Sequence, residues 1–457
     1  MGQFFISASP FQSQVSDLLP CNNNGKSSLL YGMLNSYGLL SYFDEVFALP
    51  HSSVAELRQF HSKEYLEVLL SSGFDHGRSV HAVDDETITK IASQATDWLE
   101  AHAELSEERL PWFDSGASLY KYFLDNSFDG SGTIQLDPSS QDELHDENNG
   151  PPRKIQNLLK YGLSHDCHVF EYLPMYCQVI AGATLALAKR AIPQGKRTIS
   201  INWDGGRHHA LRSKASGFCY INDIALLIIR LRKLGIKALS YVDFDLHHGD
   251  GVERAFQYSA NVQSISVHLL EPGFFPGSGT LKDARQGKNV VNLPVLHGFD
   301  DNDLNVLVNK VIVPCMKSHE PQVVIIQCGA DGLMGDKYGE WQLTIEGLAE
   351  NILTIMRSFP NANIVLLGGG GYNERLVSRF YTFLTWKVLS EFSNAYEGSN
   401  LFDKDEDVIP DHEFLEFYKE EFYKFWYYDN KGCRTSSLKN DNTSADLEKL
   451  VQFYSAA

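Results

Sequence analysis

The residues of this chain that could do chemistry gather where apolar runs end. One run leads through Asp243-Phe244-Asp245-Leu246-His247-His248-Gly249-Asp250-Gly251 and another into Gly329-Ala330-Asp331-Gly332. Two more lead into Gly205-Gly206-Arg207-His208-His209 and Gly368-Gly369-Gly370-Gly371-Tyr372. Side chains alternate along an extended chain, so residues 243, 245 and 247 share one side while Phe244 and Leu246 face the other. Asp245, His247 and Asp331 then offer two carboxylates and an imidazole, a three-ligand set that leaves one metal position for water or substrate. A bare Asp-x-His triplet is more often a strand-end hydrogen-bonding pair. The tandem histidines and a further carboxylate at another strand end favour the metal.

Asp243 and Asp250 can orient His208 and His209 through one ring nitrogen, leaving the other free for reaction. Zinc in such a site polarises an acyl oxygen and lowers the pKa of bound water. A histidine can take the water proton and return it to a leaving nitrogen, while the Tyr372 hydroxyl bonds the developing oxyanion. These parts suit amide hydrolysis without a covalent intermediate. Cys219, in an apolar run at a helix start, reads as a small buried residue rather than a nucleophile. The glycines 368–371 lack the Lys-Ser/Thr of a phosphate loop and the spacing of a dinucleotide fingerprint. They read as backbone freedom that lets Tyr372 point inward. Phe274 and Phe275 follow a strand in a turn-rich segment. Phe274 reads equally well as a loop anchor, whereas Phe275 suits the wall of an apolar tunnel leading to a recessed metal.

Positioning these residues requires an α/β frame. Short β-branched runs at 198–203, 238–244, 262–269, 323–328 and 364–367 alternate with helical patterns near 219–234, 301–318 and 344–358. Continuous apolar strands separated by helices predict a mostly parallel sheet covered on both faces, with its ligand site at the strand ends. A strand is expected at 45–49, and helices at 168–190, 374–391 and 412–428. Residues 74–160 read as an acidic insertion, solvent-exposed and partly disordered over 125–155. Residues 430–457 read as a polar, loosely held tail behind a single catalytic domain at 1–429.

The 457 residues, 43% hydrophobic and 21% charged, are ordinary for a folded protein of one large domain. No apolar run approaches the roughly 18 residues needed to cross a membrane. The first residues carry no basic-then-apolar leader, and Ser7 lies just beyond the usual myristoylation spacing. Seven cysteines, none spaced as a redox or zinc-knuckle pair, indicate mostly free thiols in a reducing compartment. A formal charge of -19 argues against direct nucleic-acid binding and is compatible with attracting basic polypeptide segments.

At the level of longer motifs the chain resembles the zinc-dependent histone deacetylases of the class I type, most like their small fungal Hos-type branch. The resemblance rests on NWDGGRHHA at 202–210, SGFCYINDIA at 216–225, YVDFDLHHGDGVE at 241–253 and PGFFPGSG at 272–279. QCGADGLMGD at 327–336 and LGGGGYN at 367–373 complete the set, with weaker similarity back through YGLSHDC to about residue 25. It implies an arginase-like three-layer α/β/α fold on a central, mostly parallel eight-stranded sheet. It also implies a single catalytic zinc on Asp245, His247 and Asp331, and removal of acetyl groups from lysines of histones or other chromosome-associated proteins. His209, oriented by Asp250, would be the general base and acid; His208, paired with Asp243, its electrostatic partner; Tyr372 would polarise the acetyl carbonyl. Gly217, Phe218 and Phe275 would line the lysine tunnel, and Asp166 would grip substrate amides at the rim. A structural potassium would sit near Asp243, Asp245, His247 and Ser266. The family points to the nucleus, with some cytoplasmic presence.

Four features depart from the family pattern. Lys26 replaces an arginine beside the cavity proposed to release acetate, keeping the charge without the planar fork. Tyr338 stands where leucine or methionine is usual in the pocket wall. Arg207 and Asp204 add two charges that can pair with each other. The insertion before Tyr161 is a candidate site for recruiting a protein complex or for shielding the rim; oligomeric state is not legible. The competing readings are an arginase-like dinuclear hydrolase, a deacylase for polyamines or longer acyl chains, and an inactive acetyl-lysine-binding scaffold.

Overall fold

A computed structural model describes residues 2–22, 25–47, 51–71, 153–170, 172–192, 195–396, 400–405, 407–429 and 438–455. Most of the acidic insertion expected at 74–160 lies outside them. Its end, Arg153–Lys160, is a helix whose Leu158 packs inward while Leu159 stays exposed.

Eight strands form one sheet: β1 Gln3–Ser7, β2 Glu45–Phe47, β3 Thr198–Asn202, β4 Leu239–Asp243, β5 Val262–Leu269, β6 Val290–Val295, β7 Val323–Gln327 and β8 Asn363–Leu367. Their spatial order is β2-β1-β3-β8-β7-β4-β5-β6 and every pairing is parallel. Strands β3, β4, β5, β7 and β8 are buried along their whole length, as helices on both faces require. The four strands that carry the candidate chemistry, β3, β8, β7 and β4, are consecutive neighbours. Their ends are in register: Asn202 opposes Leu367, Gln327 opposes Leu367 on the other side, and Asp243 opposes Gln327. The four loops that carry the candidate residues therefore leave the same ends of neighbouring strands side by side.

Two strands were not anticipated. β1 is short and N-terminal, and β6 contains Asn292 and Pro294, which a continuous apolar run would exclude. β6 is an edge strand, where proline is tolerated. The described part of the tail, 438–455, is no loose end. Helix Ser444–Ser455 buries Leu447 and Leu450, and the Tyr454 hydroxyl meets both the N–H and the carbonyl of Asn292 at 2.8 Å. It satisfies backbone groups that an open edge would leave to water or to another chain. The stretch 412–428 also differs from a regular helix. It holds a 3-10 turn, Leu415–Glu421, stopped by Phe422 and Tyr423 in left-handed conformation (φ 55° and 57°).

Helix Glu374–Phe392 packs beneath the strand ends. Trp203 stacks on Tyr381 with centroids 4.5 Å apart, and the Tyr381 hydroxyl donates to the Cys328 carbonyl at 3.0 Å. Asn222 caps helix Asp223–Lys233 and also donates to the Ala210 carbonyl, tying the histidine loop to that helix. The Asn222 N–H in turn donates to His61 Nε2 at 3.0 Å. Burial lowers the His61 imidazole to about 4 from its ordinary 6.5. Its unfolded form therefore binds a proton that the folded form refuses. Stability is intact above pH 6.5 and falls with decreasing pH until about 4, by roughly 3 kcal/mol in all. His61→Gln keeps an acceptor without the titration. Its unfolding free energy should show a pH slope shallower by up to one proton between pH 4 and 6.5; an unchanged slope would remove His61 from the acid response.

Candidate active site

β4 delivers the central residues. Tyr241 and Asp243 share a face, and the Tyr241 hydroxyl donates to Asp243 Oδ2 at 2.5 Å. The same oxygen meets His208 Nδ1 at 2.8 Å. Asp250, first residue of helix Asp250–Phe256, meets His209 Nδ1 at 2.9 Å through Oδ1. Both imidazoles are thus held by a carboxylate at Nδ1, leaving Nε2 of each for other work. Their rings lie 3.9 Å apart.

Asp245, His247 and Asp331 come together as three buried residues whose donor atoms all lie within 4.8 Å of one another. His247 Nδ1 is 3.0 Å from Asp331 Oδ2 and 3.3 Å from Asp245 Oδ1. Their other lone pairs are engaged: Gln327 Nε2 and the Gly370 N–H donate to Asp245 Oδ2 at 2.8 and 2.7 Å, and the Leu246 N–H donates to Asp331 Oδ1 at 2.9 Å. Burial and the charge of Asp245 push the Asp331 carboxyl up from its ordinary range. Two carboxylates and an imidazole in one dry cluster suit a divalent cation, which would offset the repulsion that otherwise raises Asp331. The residues fit the metal.

The electrostatics separate the two histidines. Burial opposes charging His208, yet the carboxylates of Asp243 and Asp245 raise it to about 9. Burial, and then the neighbouring His208 charge, lowers His209 to about 4. The two adjacent imidazoles are thus pushed in opposite directions, His208 up by its carboxylate neighbours and His209 down by burial. Adjacent titratable groups pushed apart in this way are suited to separate acid and base work.

Aromatic rings wall this centre. Phe274 stacks on the His247 ring (5.0 Å, 10°), and Phe275 meets His209 edge-on at 4.9 Å while staying 40% exposed. Tyr338 stands edge-on to His247 at 4.9 Å and to Tyr372 at 5.1 Å, and is 41% exposed. Phe218 lies 5.9 Å from Tyr372 on the other side. Gly217 and Phe218 both have positive φ (55° and 61°), and a Cβ on Gly217 would sit 2.4 Å from His209 Cδ2. The Gly217 N–H donates to Asp166 Oδ2 at 2.7 Å, which brings exposed Asp166 to the mouth. All the residues named from sequence for the metal, the histidine pairs and the tunnel converge here.

Others need adjustment. Glycines 368–370 serve close approach rather than unusual dihedrals: a Cβ on Gly370 would lie 2.3 Å from Asp331 Oδ2, and only Gly371 has positive φ (121°). Arg207 and Asp204 do not pair through their side chains. Arg207 Nη2 donates to the Asp204 carbonyl at 3.2 Å, whereas the Asp204 carboxylate receives Gln12 at 2.7 Å and Ser27 at 2.5 Å. Lys26 is buried beside the site and donates to the Gly369 carbonyl at 3.1 Å; burial and then Arg207 lower its pKa. Ser266, opposite Asp243 in the sheet, shares a hydrogen bond with His268 Nδ1 at 2.9 Å. Cys219 is buried as expected, its thiol pushed up to about 12 mainly by burial. Gln327, Tyr241 and Asp336 went unnoticed in the sequence. Tyr241 could have been found by extending the 243/245/247 alternation back one step, and Gln327 as the single amide ending an otherwise apolar strand. Asp336 carries no local signal.

A family model for the histone deacetylase domain matches residues 20–388. A Saccharomyces cerevisiae protein named histone deacetylase HOS1 is 46% identical over 469 aligned residues, covering 99% of this chain and 100% of its own length. Histone deacetylase 2 of Oryza sativa subsp. japonica is 38% identical, covering 65% of this chain and 54% of its own. Human histone deacetylase 1 is 36% identical, covering 65% of this chain and 57% of its own.

Proposed function

Because this chain belongs to the histone deacetylase family and is a lysine deacetylase, we propose that it hydrolyses acetyl-lysine with one zinc ion held by Asp245, His247 and Asp331. The observation that carries this reading is the buried Asp-His-Asp cluster flanked by two carboxylate-held histidines. Bound there, zinc supplies a Lewis acid for the acyl oxygen and a more acidic water. His209, neutral and fixed by Asp250, accepts the proton of the attacking water through Nε2. It then delivers that proton to the departing lysine amine. His208, kept charged by Asp243, favours the negative charge that develops beside it. Tyr372 donates its hydroxyl to the acyl oxygen as that oxygen becomes an oxyanion. Phe218, Phe275 and Gly217 line the path of the aliphatic lysine stem, and Asp166 receives substrate backbone amides at the rim.

Substrates are acetylated proteins, and histones or other chromosome-associated proteins in the nucleus are the class proposed for this chain. Among the described residues no helix is long and apolar enough to cross a membrane. Ser266, with the backbone of Asp243, Asp245 and His247, is proposed to hold a potassium ion; its buried hydroxyl keeps a lone pair beyond its bond to His268. Lys26 is proposed to lie beside the acetate exit. The deciding experiment is metal analysis joined to an acetyl-lysine peptide assay on the purified chain. One zinc per chain with acetate release is expected; two tightly held manganese ions with urea release from a guanidino compound would overturn the reading.

Two expected results concern the tunnel. Gly217→Ala drives a methyl group into the His209 ring, so turnover should fall about 100-fold, the scale on which a misplaced catalytic group acts. Zinc content should stay at wild type, and a variant retaining full turnover would show that the loop yields. Tyr338→Leu removes bulk and a hydroxyl from the wall. Turnover of butyryl-lysine relative to acetyl-lysine should rise by about tenfold, within the range one or two methylenes command in an apolar pocket. An unchanged ratio would take acyl selection away from Tyr338.

A further inference from the structure

The loop carrying Tyr372 is fastened by residues beyond the span that matches the family domain, which ends at 388. Asn373 follows Tyr372 and caps helix Glu374–Phe392 by accepting from the Leu376 N–H at 3.3 Å. Its side-chain amide donates to the Gly335 carbonyl and to the Tyr428 hydroxyl, each at 2.8 Å. The Tyr428 hydroxyl in turn donates to Glu421 Oε1. Glu421, only 3% exposed, lies 3.0 Å from Arg375 and 2.6 Å from Arg379, both on the helix that Asn373 caps. From the other side, Asp336 Oδ2 receives the N–H groups of Tyr372 at 2.6 Å and Asn373 at 3.2 Å, while its Oδ1 receives the Tyr338 N–H at 3.0 Å.

We propose that Tyr428 is a positioning residue for Tyr372, acting through Asn373, so that the segment 415–429 belongs to the catalytic unit. Asp336 holds the N–H groups of Tyr372 and Asn373, while the Asn373 side chain is held at its oxygen by the Leu376 N–H and at its amide by the Gly335 carbonyl and the Tyr428 hydroxyl. Of these contacts only the Tyr428 bond reaches the 415–429 segment, and the arginine-held Glu421 keeps Tyr428 in place. An oxyanion donor acts only when it sits where the charge will develop, so a small swing of Tyr372 is felt in turnover before binding.

The proposal rests on the reading of Tyr372 as the acyl-oxygen donor, and a double-mutant cycle on the full chain separates the two. Tyr428→Phe keeps the ring and removes the hydroxyl. On an acetyl-lysine peptide its kcat should fall about tenfold, with KM and zinc content within about twofold of wild type. In the Tyr372→Phe background the same change should cost nothing further. Asn373→Ser, which retains a capping oxygen but not the amide donor, should repeat the fall and carries the test if Tyr428→Phe folds poorly. Wild-type kcat in a folded Tyr428→Phe overturns the clamp, and so does a tenfold loss repeated in the Tyr372→Phe background. Full activity of Tyr372→Phe alone would instead remove the role of Tyr372 and, with it, the object of the clamp.

Discussion

Asp331→Ala is expected to leave a folded protein without zinc and without turnover, a fall of about 10³-fold or more, as when one member of an interdependent catalytic set is removed. The carboxylate does two jobs. Oδ2 faces His247 Nδ1 inside the donor cluster, and Oδ1 receives the Leu246 N–H at 2.9 Å. Alanine removes both, stranding a buried amide at a cost of about 1–3 kcal/mol. Asp331→Asn separates them, since its amide oxygen can still receive Leu246 while the second anionic ligand is gone. Both variants should therefore fail to retain zinc after dialysis, and Asp331→Ala should also melt lower than zinc-free wild type. Removing zinc from wild type with a chelator should lower its own Tm, because a ligand bound only by the folded state stabilises that state. Stoichiometric zinc in Asp331→Ala would dismiss Asp331 as a ligand.

The legible part of this protein was the part governed by short-range pattern. Runs such as VVIIQ and NIVLL are apolar throughout because both faces of their strands are covered, and that signal needs no knowledge of partners. The pleat ends at Asp243, and Asp245 and His247 lie in the bend beyond it, so the alternation named the right residues although the strand does not continue through them. What stayed hidden depends on contacts far apart in the chain. β6 breaks the apolar rule with Asn292 and Pro294, and its Asn292 backbone is met by Tyr454, 162 residues later. Asp204 and Arg207 are adjacent charges that looked like partners. The fold instead offers Asp204 the amide of Gln12 and the hydroxyl of Ser27, nearly 200 residues upstream. Asp336 is the extreme case: a carboxylate in a loop whose importance appears only when three N–H groups of two other site residues and their neighbour close on it.

Tyr372→Phe should retain zinc and peptide affinity while losing about 10²–10³-fold in kcat, the cost of deleting one preorganised oxyanion donor. The ring would stay where it is. Its contacts with Tyr338 and Phe218 and its backbone bond to Asp336 do not involve the hydroxyl. Burial, and then the charges of Asp331 and Asp245, hold the Tyr372 phenol well above its ordinary pKa. The group is therefore protonated at every working pH and acts only as a donor. A donor to an acyl oxygen gains most when that oxygen becomes anionic, so its deletion raises the barrier more than it weakens the ground-state complex. The loss should accordingly fall on kcat with KM nearly unchanged, and metal content should separate this variant from Asp331→Ala. A matching rise in KM with kcat preserved would mean that Tyr372 merely binds substrate. Full activity would mean that the acyl oxygen is polarised without it.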